Sequence, residues 1–138
     1  VTKQHFNSAL QAYLTGGSLD WVSTPNIVVS LVRSYSFNAA HATVADVTGA
    51  GGVIHATQAL TGRTAPLGNG VFDADDVTFP AVVSNPSAHG LLCHEDNAVP
   101  ATDRVLFWID EGVNIPVVPD GNDENIVWDS GSILMGKI

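Results

Sequence analysis

Histidines and carboxylates are the side chains here that could do chemistry, and zinc and calcium are the first chemistries to test. His89 and His94 are five residues apart and are followed by Glu95-Asp96. A zinc-binding HExxH helix needs its histidines at i and i+4, which this spacing does not give. In a strand, residues five apart point to opposite faces, so these two imidazoles are not expected to converge. His5, His41 and His55 fall in three different predicted elements. The acidic runs Asp73-Ala74-Asp75-Asp76 and Asp120-Gly121-Asn122-Asp123-Glu124 offer oxygen ligands at short spacing. Both lack the sixth-position Gly and closing Glu of an EF-hand loop. Asx-rich stretches of this kind more often form turns, because the side chains bond their own backbone.

Nucleophilic and phosphate chemistry fare no better. No GxSxG elbow is present, and Gly49–Gly52 (GAGG) lacks the Lys-Ser/Thr of a phosphate loop. The GAGG run also precedes a predicted strand, whereas a phosphate cradle opens a helix, so a turn or bulge is expected. Paired carboxylates for glycoside hydrolysis usually sit in clefts rich in aromatics, and the whole chain has only five Phe, three Trp and two Tyr. Cys93 is alone, so no intramolecular disulfide can form; within the apolar run Leu91–Cys93 it reads as an inert, buried thiol. The expectation is a non-enzyme with no catalytic, cofactor-binding or metal-binding residues and no cofactor.

Composition bounds the partners. The 138 residues suit one domain, and 45% hydrophobic residues can fill its core. Only 14% are charged, against roughly 25% in an average soluble domain. A surface so poor in Lys and Glu suits burial against another protein. The net charge is −9, and Lys3, Arg33, Arg63, Arg104 and Lys137 are scattered along the chain. Phosphate backbones and anionic lipids are held by clustered cations, so neither direct nucleic-acid binding nor membrane binding is expected. No apolar run approaches the ~20 residues of a membrane-spanning helix, and no basic stretch leads into an apolar one as in a signal peptide.

The elements that position these residues are mostly strands. Phe6, Ala9, Leu10, Tyr13 and Leu14 follow helical spacing, which predicts a short amphipathic helix over 2–15, capped by Thr2 and ended by Gly16-Gly17. After Gly17, strands are predicted at Ile27–Tyr35, Val53–Leu60, Val77–Phe79, Gly90–His94 and Arg104–Asp110. Asn38–Asp46 could form one or two helical turns. Thr61-Gly62, Leu67–Gly70 and Asp120–Asp123 read as turns, the second as a hairpin loop. Asn125–Trp128 and Ile133–Met135 read as a closing pair around Asp129-Ser130-Gly131. Short, evenly spaced strands predict a mainly β single domain, a β-sandwich or partly closed β-barrel with a short N-terminal α-helix. Residues 1–17 are expected to form a helical arm and 18–138 the β domain. Trp108 and Trp128 are expected in the core; Trp21 could plug the helix–strand connection or anchor an interface.

The order of segments resembles small virion structural proteins of tailed bacteriophages. The resemblance covers "TGGSLDWVSTPNIVVSLVRSYSFNAAHATVADV", "ALTGRT", "VFDADDVTFPAV" and "RVLFWIDEGVNIPVVPDGNDENIVWDSGSI", from about Tyr13 to Ile133. "FDADDVTFPAV" and "VWDSGSI" are its most specific pieces. It implies a non-enzymatic particle component, first a capsid decoration (cement) protein on the outer surface of the head. The partners implied are the major capsid protein and copies of itself in a homotrimer. A tail or neck component is the structural alternative. A third reading, a β-sandwich carbohydrate-binding module for host adsorption, needs an exposed aromatic platform such as Trp21 or Tyr35. The candidate interface residues are Phe6, Leu10, Tyr13, Leu14 and Trp21, on a terminal segment expected to reach a neighbour.

Overall fold

The computed structural model describes residues 3–65, 71–83, 89–110, 115–128 and 136–137. The chain runs β1 (Lys3–His5), α1 (Asn7–Leu14), β2 (Ile27–Arg33), α2 (Val44–Gly49), β3 (Val53–Ala59), β4 (Val71–Phe72), β5 (Val77–Phe79), β6 (Gly90–Glu95), β7 (Val105–Ile109), β8 (Glu124–Ile126) and β9 (Gly136–Lys137). Its centre is an open antiparallel sheet in the order β1-β7-β6-β2-β3, with two-stranded ribbons β4-β9 and β5-β8 beside it. The protein is mainly β with a short N-terminal helix, layered as in a sandwich and not closed into a barrel.

The central strands β2, β6 and β7 are buried on both faces, apart from Arg33 at the end of β2, because each face of the sheet carries its own core. Ile27, Val29 and Leu31 point to the larger core with Leu91, Cys93, Phe107 and Ile109, where Trp21, Phe72, Phe79, Ile126 and Trp128 cover them. Val32, Leu92, Val105 and Trp108 point the other way, onto Phe6 and onto Val44 and Val47 of α2. This is the strand alternation expected from sequence, with hydrophobic residues on both sides of the pleat. Gly90 makes the second core possible: a Cβ there would lie 2.4 Å from Trp108 Cζ2.

Three elements differ from the sequence expectation. Residues 3–5 are a strand, not the first turn of a helix: Lys3, Gln4 and His5 pair with Ile109, Trp108 and Phe107. Phe6 extends that ladder through its N–H to Leu106 O and then stands at the start of α1, which has no side-chain cap. With Phe6 fully buried, the N-terminal segment is built into the sheet and is not a separate arm. The second helix begins at Val44 because Thr43 and Asp46 form a reciprocal capping box. The GAGG run ends that helix: Gly51 takes φ +97°, and a Cβ on Gly52 would meet Val47 O at 2.8 Å. Finally, β8 pairs with β5 (Val77↔Ile126, Phe79↔Glu124), a partner about fifty residues away that the sequence reading did not name. The expected Leu67–Gly70 loop, Asp129–Gly131 turn and Ile133–Met135 strand lie outside the described residues.

Candidate functional site

A nucleophile and a base meet on the second face of the sheet. Ser30 Oγ lies 2.8 Å from His94 Nε2 and 2.7 Å from Thr57 Oγ1. His94 Nδ1 faces its neighbour's carbonyl, Glu95 O, which accepts the ring N–H and leaves Nε2 as the acceptor for Ser30. The hydroxyl of Thr57 then donates to Ser30 Oγ, giving a relay across β3, β2 and β6. Burial holds the His94 pKa below its ordinary value, against the opposing pull of the Glu95 carbonyl and of Asp96 and Asp103. Such a dyad has the pairing used for nucleophilic catalysis. Here Ser30 is wholly buried and His94 nearly so; only Thr57 reaches the surface. The arrangement therefore satisfies polar groups between two sheet strands, and its hydroxyl nucleophile is not presented to solvent.

The other histidines are separate. His55 packs its ring against His89 at 4.8 Å between centroids, and His41 Nδ1 bonds Tyr35 Oη at 2.9 Å. His5 lies against Phe72 and Phe107. His89 and His94 serve different clusters, and among the described residues no three His, Cys, Asp or Glu side chains converge as a metal site would require. The acidic runs form local turns and tie distant segments together. Asp73 Oδ1 accepts from Ala74 N–H, Asp75 Oδ2 from the Thr61 hydroxyl, Asp120 Oδ1 from Asn122 N–H and Asp123 Oδ1 from Ala81 N–H. Cys93 is buried, and desolvation pushes its thiol up, away from thiolate chemistry.

Glu95 and Arg104 form a two-point ion pair. Arg104 grips the carboxylate through Nε to Oε2 at 2.6 Å and Nη2 to Oε1 at 2.8 Å, and also bonds Ser18. Sequence reading missed this pair and the Ser30 relay. A serine in the middle of the otherwise apolar IVVSLV run was the available signal, since a buried hydroxyl needs a partner.

The five candidate interface residues split. Phe6 and Trp21 are internal: Trp21 is 3% exposed, and its indole N–H is shared by Thr64 O and Asp73 O at 3.0 and 3.1 Å. Trp21 is thus a plug, with the Arg63 guanidinium over its ring. Leu10 and Tyr13 are half-buried, and Tyr13 packs on Phe72. Leu14 is 74% exposed at the end of α1 and is the member of the set free to meet a partner. A sugar platform on Trp21 is ruled out by that burial, and Tyr35 stands edge-on to Trp108 with its hydroxyl already bonded. No protein-family model matches the chain, and no curated protein matches it.

Proposed function

We propose that this chain is a non-enzymatic virion structural protein of a tailed bacteriophage, seated as a decoration protein on the outer surface of the head. The observation that carries the reading is the order of segments in the sequence, above all "FDADDVTFPAV" and "VWDSGSI". In the fold these two pieces touch: Trp128 bonds both Asp75 and Asp76. Two further features support it. The surface is poor in charge, and aliphatic side chains stand exposed at Leu14, Val83, Val118 and Val127, as suits a domain that works by packing. Asp73 and Asp120 accept bonds within their own turns, and Asp75, Asp76 and Asp123 accept from distant segments of the chain. The major capsid protein is the partner, and neither nucleic acid nor membrane is contacted.

The test is the copy number in purified particles, read by quantitative mass spectrometry against the major capsid protein. A ratio near one to one is expected; a dozen or fewer copies would move the protein to the neck or tail. Because Phe6 and Ala9 belong to the cores and the first strand to the central sheet, truncating residues 1–15 would damage the fold. Leu14→Glu is the cleaner probe of the helix end. It is expected to lower retention on capsids while the urea midpoint stays where it is.

A further inference from the structure

We infer that the free edge of β3 is a self-association seam on which a second copy adds its own β3 antiparallel, continuing the central sheet across a two-fold axis. β3 is the last strand of the sheet order; β5 packs close to it without pairing, and on its outer side no strand pairing is present among the described residues. The direction of its backbone groups follows from Leu60, whose N–H donates to Ile27 O. Alternation turns Gln58 and Ala56 toward β2 as well, and leaves the N–H and C=O of Thr57 and Ala59 pointing outward. Both outward residues are exposed, and alanines at 56 and 59 put no long side chain over the edge.

Natural edges are usually blunted by Lys, Pro, shortness or a bulge. The opposite edge, β1, has three residues and carries Lys3. β3 has seven residues and neither Lys nor Pro. Its bulge lies opposite Leu31/Val32 and interrupts only the first half, so Ala56–Ala59 remains regular. No charged residue occurs between Asp46 and Arg63.

That charge pattern selects the occupant. The chain carries −9, so copies repel at long range, and a basic partner would be drawn to the acidic loops. The β3 edge is a neutral strip along which two copies can approach without like charges meeting. With the axis at Gln58, Thr57 of each copy faces Ala59 of the other and exchanges two backbone bonds, and the two Gln58 side chains stand directly opposite. Isologous pairing of this kind is the commonest route to a closed oligomer. The seam does not rest on the virion reading, and its two-fold dimer differs from the homotrimer which that resemblance implies.

Sedimentation equilibrium from micromolar to near-millimolar protein is expected to show a monomer–dimer equilibrium. Gln58→Lys and Gln58→Glu each place like charges across the axis and are expected to raise the dissociation constant about tenfold or more. Mixing the two variants is expected to restore the dimer, because the opposed charges then attract. If either variant is poorly folded, hydrogen exchange on the unaltered protein decides: protection of the Thr57 and Ala59 amides should rise with concentration. A monomer throughout, a trimer, a dimer indifferent to both variants, or amides whose protection ignores concentration would each overturn the proposal.

Discussion

Trp128 is tied to Asp76 across 52 residues of sequence: its backbone N–H donates to Asp76 Oδ1 at 2.9 Å. Its indole N–H donates to the preceding residue's carbonyl, Asp75 O, also at 2.9 Å. One turn thus satisfies both donors of a buried tryptophan. In the same turn the Asp75 carboxylate accepts from the Thr61 hydroxyl and fills the space beside Gly62, where a Cβ would meet it at 2.3 Å. The carboxylates of this acidic segment therefore order long-range packing.

Asp76→Ala is expected to destabilise the protein by about 1–2 kcal/mol, because the Trp128 N–H loses a charged acceptor in a partly buried place. Asp76→Asn keeps an acceptor oxygen and should cost less. Urea midpoints at pH 7 measure both, and equal loss for the two variants would assign the effect to something other than the hydrogen bond.

Gly90 sets the closest approach in the second core. An added Cβ would come within 2.4–2.6 Å of two Trp108 ring atoms and 3.1 Å of Ile109 O. The ring is wedged against Tyr35, at 5.1 Å between centroids, and cannot swing freely aside. Gly90→Ala is expected to cost about 1–3 kcal/mol by overpacking. Trp108 fluorescence should shift with the loss, and Gly90→Ala/Trp108→Leu should recover part of it.

How much of this was legible in the sequence depends on how local the signal was. The apolar and β-branched runs that mark β2, β3, β6 and β7 lie within each strand, and those strands were found within two residues of their ends. The pairing partners were not local. Lys3–His5 became a strand because β7 offers it an edge about a hundred residues away, while the helical spacing of Phe6 onward was real but began later. β8 joined β5 for the same reason. The second helix was expected too early, over Asn38–Asp46: Thr43-Val44-Ala45-Asp46 is a capping sequence, and it outranks the Ala content upstream. Of the candidate site, Trp21 could not be assigned because a tryptophan suits a plug or an anchor equally. Only the carbonyls of Thr64 and Asp73 distinguish them.

The Ser30 relay yields a coupling prediction. Ser30→Ala leaves His94 Nε2 and the Thr57 hydroxyl without their partner and is expected to cost about 1–3 kcal/mol. Thr57→Val alone should cost less, since Thr57 is exposed. A double-mutant cycle between the two should show coupling of about 0.5 kcal/mol or more, as directly bonded neighbours do. Strict additivity would mean that the two hydroxyls do not interact in solution.

His94 should also make stability depend on pH near neutrality. Burial is the largest cause of its lowered pKa, so the folded protein holds the ring neutral where the unfolded chain, with an ordinary value of 6.5, begins to protonate. The unfolded state then binds more protons, and stability rises with pH in that window. The contribution is fully present above about pH 6.5 and is lost as pH falls through the folded value, at a slope limited to about 1.4 kcal/mol per pH unit for one proton. Glu95 has a lowered pKa for another reason, the Arg104 hydrogen bonds, and its share is lost only at more acidic pH, below the ordinary carboxylate value of 4.5. The two windows are separable. Urea midpoints recorded from pH 7.5 to about pH 5 should fall in the unaltered protein and fall much less in His94→Gln, whatever the baseline stability of that variant. In midpoints carried on below pH 4.5, Arg104→Gln should keep the near-neutral slope and weaken the acidic one, because it removes the contact that depresses Glu95 and leaves His94 buried. An unchanged near-neutral slope in His94→Gln would place the titrating group elsewhere.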